Sequence, residues 1–232
     1  MSAATAGHRR RGVDRTREVA RAALECFSSS GFRLTQIADV SERMGVSVGT
    51  IYRYVESKEA LFHLAALVAG DALPGSLDLP VSVAGPGDTA AVLRGLIAKD
   101  RVWPVLQMAL EGPAPSDPKA EAAAIAGELY DATAARAALI SLLDRCAHDV
   151  PELTEVFDQQ MRRRLMDDLE AWVRLRDASA GRRRANVAAL ARGALETIAW
   201  LAKSRRRDPT ASTIPEADAR DAAVRIFANA FD

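Results

Sequence analysis

The side chains best suited to chemistry lie between Thr35 and Leu61, where hydroxyls, tyrosines and basic groups follow one another closely. The apolar residues among them repeat every three or four positions, which is the spacing of one helix face. Gly45 interrupts this pattern and permits a left-handed turn, and Ser47 can cap a second helix by accepting backbone hydrogen bonds. The stretch therefore predicts a helix-turn-helix, whose second helix has the shape that enters a DNA major groove.

The exposed face of the second helix should carry the contacts that read DNA sequence, while neighbouring groups contact phosphates. Ile51 and Val55 are expected to be buried beneath this face. Gly49 leaves room for close approach, and a threonine or valine methyl group can meet a thymine methyl. The candidates for base contacts are Ser47, Val48, Gly49, Thr50 and Tyr54. The candidates for phosphate contacts are Arg9, Arg10, Arg11, Thr35, Tyr52 and Lys58. Arg53 could serve either class.

Some of these candidates also have a purely structural interpretation. Thr35 and Ser47 would cap helices in a protein that never met DNA, and the tyrosines could be core aromatics. If Thr35 caps the first helix of the motif, the backbone N–H groups there attract an anion. Lys58 is expected at the start of the next helix, where a phosphate could contact its ammonium and the helix end together.

The string GVSVGTIYRYVESKEALF, at residues 45–62, resembles the signature of the TetR family of bacterial transcriptional regulators, and the resemblance covers roughly residues 13–72. Ser41, Met44 and Val55 depart from it, because the family usually has alanine, alanine and phenylalanine there. The resemblance implies a homodimer that binds double-stranded DNA at a palindromic operator. It also implies a helical body with an apolar pocket for a small effector, and a repressor more often than an activator.

The composition favours an all-α protein, because alanine is abundant, aromatic residues make up 5% and β-branched runs are few. We expect about nine to ten helices, with an N-terminal three-helix, helix-turn-helix domain and a C-terminal helical domain for ligand binding and dimerisation. The net charge is zero, but the first 70 residues carry ten basic and seven acidic side chains. That excess suits a segment that meets phosphate.

A domain boundary is expected near residue 56. The DNA-binding domain with its N-terminal basic arm takes residues 1–56, and the effector-binding and dimerisation domain takes residues 57–232. Within the latter, residues 57–72 should form a helix that joins the two domains. A link with three prolines and three glycines follows at residues 73–87 and excludes a helix there. The remaining helices are expected at Asp14–Ser28, Asp88–Leu110, Lys119–His148, Glu152–Arg176, Arg183–Ser204 and Pro215–Phe231.

The helices of the C-terminal domain carry broad apolar faces. Their methionines and aromatic residues suit an adaptable pocket, although each taken alone is more simply a core residue. The candidate pocket residues are Trp103, Met108, Tyr130, Phe157, Met161, Met166, Trp172 and Trp200. In the TetR family the last two helices pair with their symmetry mates, which implies a dimer interface. Its candidate residues are Val187, Leu190, Ala194, Leu195, Ile198, Leu201, Ala219, Ala223, Ile226, Phe227 and Ala230.

Other classes of protein are disfavoured. No phosphate-binding glycine loop, zinc-protease motif or nucleophile elbow is present, so an enzyme is not expected. Cys26 and Cys146 lie far apart without metal-ligand spacing, so we expect buried thiols, no metal, no cofactor and a cytoplasmic protein. No apolar run is long enough to span a membrane. An architectural DNA-binding protein without an effector is an alternative to the regulator.

Overall fold

The computed structural model describes residues 3–99 and 103–231, apart from the side chains of residues 3–13, Lys99 and Gln160. The side chains of Arg9, Arg10 and Arg11, and with them the predicted phosphate contacts of the basic arm, lie outside the described part. The described residues form helices, turns and loops without a named β-strand, so the predicted all-α fold is confirmed. None of the helices they form is long and apolar enough to cross a membrane.

The helices follow one another with short connections, except at the proline- and glycine-rich link. In chain order they are α1 (Ala3–Leu34), α2 (Ile37–Met44), α3 (Val48–Ile51), α4 (Lys58–Ala69), α5 (Pro86–Lys99), α6 (Pro104–Glu111), α7 (Pro118–Ala135), α8 (Ala137–Cys146), α9 (Pro151–Thr154), α10 (Arg164–Ser179), α11 (Val187–Ala202) and α12 (Glu216–Ala230). A π-helix lies at Glu155–Arg163, and 3-10 turns lie at Ala147–Asp149 and Ser204–Arg207.

The chain packs as two compact units, each built from two separate segments. The N-terminal unit comprises Met1–Lys99 and Ala138–Asp158, and the C-terminal unit comprises Asp100–Ala137 and Gln159–Asp232. This is a division by packing. The boundary expected at residue 56 separates residues by function, and it stays a prediction.

An aromatic cluster forms the core of the N-terminal unit around α1 and α4. The rings of Phe27, Phe32 and Phe62 lie 5.1 to 5.9 Å apart, centre to centre. α1 also packs against α2, and α4 packs against α5. Two short helices cannot bury a core of their own, so the motif of α2 and α3 depends on α1 and α4 for its support.

The C-terminal unit has its own core, in which α7, α11 and α12 pack together. The ring of Trp172 lies 5.3 Å from that of Phe231, and its Nε1 donates a hydrogen bond to Glu121 Oε2 at 2.9 Å. Arg176 donates to both oxygens of the same carboxylate, at 2.6 and 2.8 Å. The side chains of Arg176 and Glu121 are only 9% and 15% exposed, so this pair is largely shielded from water.

Three helix boundaries near the DNA-binding motif differ from the prediction. α1 runs from Ala3 to Leu34 instead of from Asp14 to Ser28, with a break in its helical backbone at Gly31. α3 is a single turn that ends at Ile51, whereas the sequence predicts a helix that continues to Tyr54.

After α3 the backbone continues as a turn, and Val55 then forms an isolated bridge with Val81. The Glu56 N–H donates to Val81 O at 3.0 Å, and the Val81 N–H donates to Tyr54 O at 2.8 Å. The proline- and glycine-rich link therefore returns to the DNA-binding motif and pairs with the backbone that follows α3.

Candidate nucleic-acid interface

The turn between α2 and α3 is set by the backbone at Gly45. This residue has φ 63° and ψ 34°, in the left-handed region that side chains disfavour. Its N–H donates to Glu42 O, and the Val46 N–H donates to Ser41 O, both at 3.0 Å. The two bonds satisfy carbonyl groups that lack a partner within α2. The predicted turn glycine is thereby confirmed.

Ser47 caps α3, as the sequence predicts. Its Oγ accepts a hydrogen bond from the Thr50 N–H at 3.3 Å and lies 3.0 Å from Thr50 Oγ1. Ile51 and Val55 are fully buried beneath the helix. A helix of one turn is unstable in isolation, so α3 is held by this cap and by this burial.

The outward face of α3 and of the turn after it is accessible to solvent. Val48 is 39% exposed and Tyr52 is 49% exposed. The full set of exposed or partly exposed candidates is Ser47, Val48, Gly49, Thr50, Tyr52, Arg53 and Tyr54. Every candidate for a base contact is therefore accessible to a partner, and the face combines apolar, hydroxyl and guanidinium groups, which suit a DNA groove.

Thr35 is not the cap of α2, contrary to the prediction. Its side chain is fully buried, and its Oγ1 donates to Gly31 O at 2.7 Å. The N-cap is Gln36, whose N–H donates to Asp39 Oδ2 at 2.7 Å. A side chain without exposed surface cannot bind a phosphate. Thr35 instead closes the end of α1, and the exposed Gln36 stands at the start of α2.

Lys58 begins α4, and its ammonium already has two partners. Nζ donates to Arg33 O at 3.1 Å and lies 4.7 Å from the centre of the Phe32 ring. Ser57 caps the helix by accepting from the Ala60 N–H at 3.1 Å. An ammonium has three donors, so the partly exposed side chain of Lys58 can also bind an acceptor from another molecule.

Two side chains from a distant part of the sequence hold the end of α1, and sequence reasoning missed both. Arg145 donates from Nε to Ser29 O at 3.0 Å and from Nη2 to Ser30 O at 3.2 Å. Asp149 Oδ2 accepts a hydrogen bond from the Arg33 N–H at 2.9 Å. The partners are at least 115 residues apart in the chain, so no local pattern could have revealed them.

Both cysteines are buried in the N-terminal unit, as expected. Cys146 Sγ donates to Phe27 O at 3.4 Å, and burial raises the pKa of its thiol to about 12. Burial also raises the pKa of Cys26, although a hydrogen bond with Arg43 opposes this. Both thiols are thus protonated at neutral pH. Within the described residues, no group of three or more His, Cys, Asp or Glu side chains could hold a metal ion.

A cavity of about 170 Å³ lies in the C-terminal unit. Its wall is apolar at Trp172 and Phe231 and charged at Arg176, Asp177 and Arg182. Asp177 is 4% exposed, and its Oδ2 has no hydrogen-bond partner in the described part of the protein. Of the predicted pocket residues that the structure describes, only Trp172 lines this cavity.

The other predicted pocket residues have varied surroundings. Two are buried core residues, namely Tyr130 and Phe157. Three are partly buried, namely Trp103, Met161 and Met166. Met108 is 64% exposed and Trp200 is 42% exposed. Side chains with so much surface in water do not line an enclosed pocket of one protomer, so Met108 and Trp200 are removed from the pocket candidates.

The predicted dimer-interface residues divide between the core and the surface. Those packed inside the C-terminal unit are Val187, Ala194, Ile198, Leu201, Ala219, Ala223 and Phe227. Those with accessible surface are Leu190, Leu195, Ile226 and Ala230. Ile226 is 49% exposed. Because the first set is buried by its own protomer, direct contact with a second copy could come only from the second set and its neighbours.

Comparison with known proteins gives one family match, and it covers the motif. Residues 19–65 match the model described as bacterial regulatory proteins, tetR family. No curated protein matches the chain. The TetR-family regulator PfmR from Thermus thermophilus is 18% identical, with 92% of this chain and 96% of that chain covered and a TM-score of 0.48. A structure from Mesorhizobium loti assigned to the TetR family is 17% identical, with 93% and 96% covered and a TM-score of 0.45.

The matched segment runs from within α1 into α4 and contains the whole helix-turn-helix. It includes the turn at Gly45, the cap at Ser47 and the exposed face of α3. This N-terminal segment is therefore similar to the DNA-binding segment of the TetR family of bacterial regulatory proteins.

Proposed function

We propose that the protein is a transcription regulator that binds DNA through α3 and the turn after it. The observation that carries this proposal is the exposed face at Val48 and Tyr52, held above the fully buried Ile51 and Val55. This arrangement leaves the Val48 and Tyr52 side chains accessible to a partner. In a major groove, the same side chains meet base edges and methyl groups.

The two kinds of DNA contact are divided among these residues. Val48, Gly49, Thr50 and Tyr54, with Ser47, face the bases. Tyr52 and Lys58 contact phosphates, and Gln36 takes the place of the buried Thr35 at the start of α2. Phosphate contacts raise the affinity for any sequence, whereas base contacts discriminate between sequences. Arg53 is exposed and can reach either target.

Selection of bound DNA from a random pool tests this function directly. We expect an enriched sequence motif. Lys58→Met should weaken binding to the selected and to random DNA alike and reduce the salt slope by about one. Thr50→Ala should change the preferred bases instead. Arg94→Met, at an exposed ion pair on α5, is the control and should change neither. If no sequence is enriched, the function is wrong, and if the two variants exchange effects, the division of roles is wrong.

We propose that two copies bind together as a symmetric dimer. Such a dimer reads two half-sites about 34 Å apart, so the operator should be palindromic. The exposed Trp200 and Ile226, together with the partly exposed Leu190 and Leu195, supply the interface on α11 and α12. Ile226→Glu should therefore shift the sedimentation equilibrium toward the monomer. Val92→Glu on α5, which starts from a similarly exposed apolar residue, should not. A wild-type protein that stays monomeric at high concentration would refute this proposal.

We propose that a small effector in the cavity beside Trp172 releases the protein from DNA, which makes it a repressor. An effector acts only if it binds the DNA-free conformation better than the DNA-bound one. Trp172 and Phe231 offer aromatic surface, so a compact, largely apolar molecule fits.

A screen for compounds that dissociate the selected DNA tests the effector proposal. Active compounds should lose their effect on Ala180→Phe, because the larger side chain would fill the cavity that Ala180 lines. Compounds that tighten DNA binding instead would favour an activator. Sequence-independent, strongly salt-dependent binding without any responsive compound would favour an architectural DNA-binding protein.

A further inference from the structure

We propose that Arg145 and Asp149 are positioning residues for DNA recognition, which fix the end of α1 and thereby the place where the helix-turn-helix begins. Neither belongs to the motif, and neither lies in the segment that matches the TetR model. The inference rests on the proposed DNA-binding function and adds residues from the distant segment 138–158 to it.

Arg145 satisfies backbone groups that a helix end leaves unpaired. The backbone of α1 is not helical at Gly31, so the carbonyls just before this break lack their usual partners within the helix. The guanidinium of Arg145 takes two of them as a fork, Ser29 O at 3.0 Å and Ser30 O at 3.2 Å. Its positive charge also lies at the negative end of the dipole of α1. This geometry fixes both the position and the rotation of the last turn of α1.

Asp149 holds the same end of α1 through a hydrogen bond with the backbone of Arg33. Its Oδ2 accepts from the Arg33 N–H at 2.9 Å, while Arg33 O accepts from Lys58 Nζ at 3.1 Å. The peptide groups on either side of Arg33 are therefore held by Asp149 and by Lys58. Lys58 is the proposed phosphate contact, so Asp149 steadies the backbone to which that side chain is bonded.

The close approach at Gly31 shows how tightly the two segments meet. Gly31 has φ 86° and ψ 170°, a conformation that is almost restricted to glycine. A Cβ at this position would lie 3.0 Å from Asp149 Oδ2 and 3.4 Å from Arg145 O. The end of α1 thus packs against the backbone and side chains of residues 145–149 with no space for a methyl group.

Only two residues, Thr35 and Gln36, separate α1 from α2. The Thr35 hydroxyl is itself bonded to Gly31 O, so this connection has little freedom to adjust. A displacement of the end of α1 is therefore passed on to α2 and α3. Base contacts depend on placement to about half an ångström, so such a displacement lowers discrimination between sequences before it affects general attraction to phosphate.

Five variants of the full-length protein test this proposal. Arg145→Met and Asp149→Ala remove the two contacts, while Arg145→Lys and Asp149→Asn are their conservative counterparts. Arg94→Met is the control, because Arg94 pairs with Glu155 of the same segment at 4.0 Å on the surface. For each, the measurements are the affinity for the selected duplex and for a random duplex at several salt concentrations, and the melting temperature.

We expect Arg145→Met and Asp149→Ala to bind the selected duplex about five-fold or more weakly, with less than about two-fold loss on the random duplex and an unchanged salt slope. Asp149→Asn should retain the affinity of the wild type for the selected duplex, since its amide oxygen still accepts from the Arg33 N–H. Arg145→Lys should retain this affinity in part. Arg94→Met should bind as the wild type does.

Three results would overturn the proposal. These are unchanged affinity for the selected duplex, an equal loss on both duplexes, or a smaller salt slope, since the last would make Arg145 a direct phosphate contact. If either disruptive variant fails to fold, its conservative counterpart provides the test. Arg145→Lys must then bind the selected duplex more weakly than the wild type, and Asp149→Asn must bind it as tightly as the wild type. A wild-type protein that enriches no sequence would instead refute the proposed function.

Discussion

Replacing Gly49 with alanine should stabilise the protein and weaken its binding to DNA. In the free protein, a Cβ at Gly49 would meet only Ser47 Oγ, at 3.9 Å, which is an ordinary contact distance. Alanine favours a helix over glycine by up to about 1 kcal/mol. For a chain of this size, that gain corresponds to a rise in melting temperature of about 2–4 °C.

If α3 enters the major groove as proposed, the same methyl group would stand between α3 and the floor of the groove. One good contact with a base is worth about 1–3 kcal/mol. If the methyl group prevents one such contact, the affinity for the selected duplex should fall by a factor of about 5 to 150. The binding of random DNA, which depends on phosphate contacts, should change much less.

Differential scanning fluorimetry and fluorescence anisotropy with the selected duplex measure the two effects of Gly49→Ala. Gly45→Ala is the matched control, because a Cβ there meets nothing within 4 Å, but the φ of 63° strains any residue that has a side chain. It should lower the free energy of unfolding by about 1–2 kcal/mol. If Gly49→Ala binds the selected duplex as tightly as the wild type, α3 does not enter the groove as we propose. If Gly49→Ala lowers the melting temperature, Gly49 does not have the helical conformation described for α3.

Three further predictions concern stability and reactivity. Arg176→Met should lower the free energy of unfolding by about 3 kcal/mol in chemical denaturation, because it leaves the largely buried Glu121 carboxylate without its ion-pair partner. Cys26 and Cys146 should resist a thiol reagent in the native protein and react after denaturation, and rapid native labelling would contradict their burial. Burial lowers the pKa of His63, so the unfolded state takes up a proton more readily and stability should fall as the pH drops below about 6.5. His63→Gln should remove this part of the pH dependence of the melting temperature.

The features that the sequence predicts correctly are those decided by neighbouring residues. The left-handed turn needs Gly45, the cap of α3 needs the hydroxyl of Ser47, and helix periodicity places Ile51 and Val55 in the core. Each depends on contacts within a few positions along the chain, where the stereochemistry allows few alternatives.

The features that the sequence does not predict depend on distant partners. Thr35 closes α1 instead of capping α2, because its hydroxyl donates a hydrogen bond to Gly31 O. Predicting this bond from the sequence would require knowing where α1 ends. The backbone after α3 pairs with Val81, about 25 residues further along the chain. The hydrogen bonds from Arg145 to α1 join residues that are more than a hundred positions apart in the sequence. In each case several partners are chemically equivalent, and only the packed chain selects one.

The bridge between Val55 and Val81 bears on how chimeric regulators could be built from this protein. A graft that takes only residues 1–72 would lose Val81. The Glu56 N–H and the Tyr54 carbonyl would then lack their backbone hydrogen-bond partners. A DNA-binding domain for transfer to another protein would have to extend past Val81 and also include residues 138–158. It would therefore consist of two segments that are separated in the sequence.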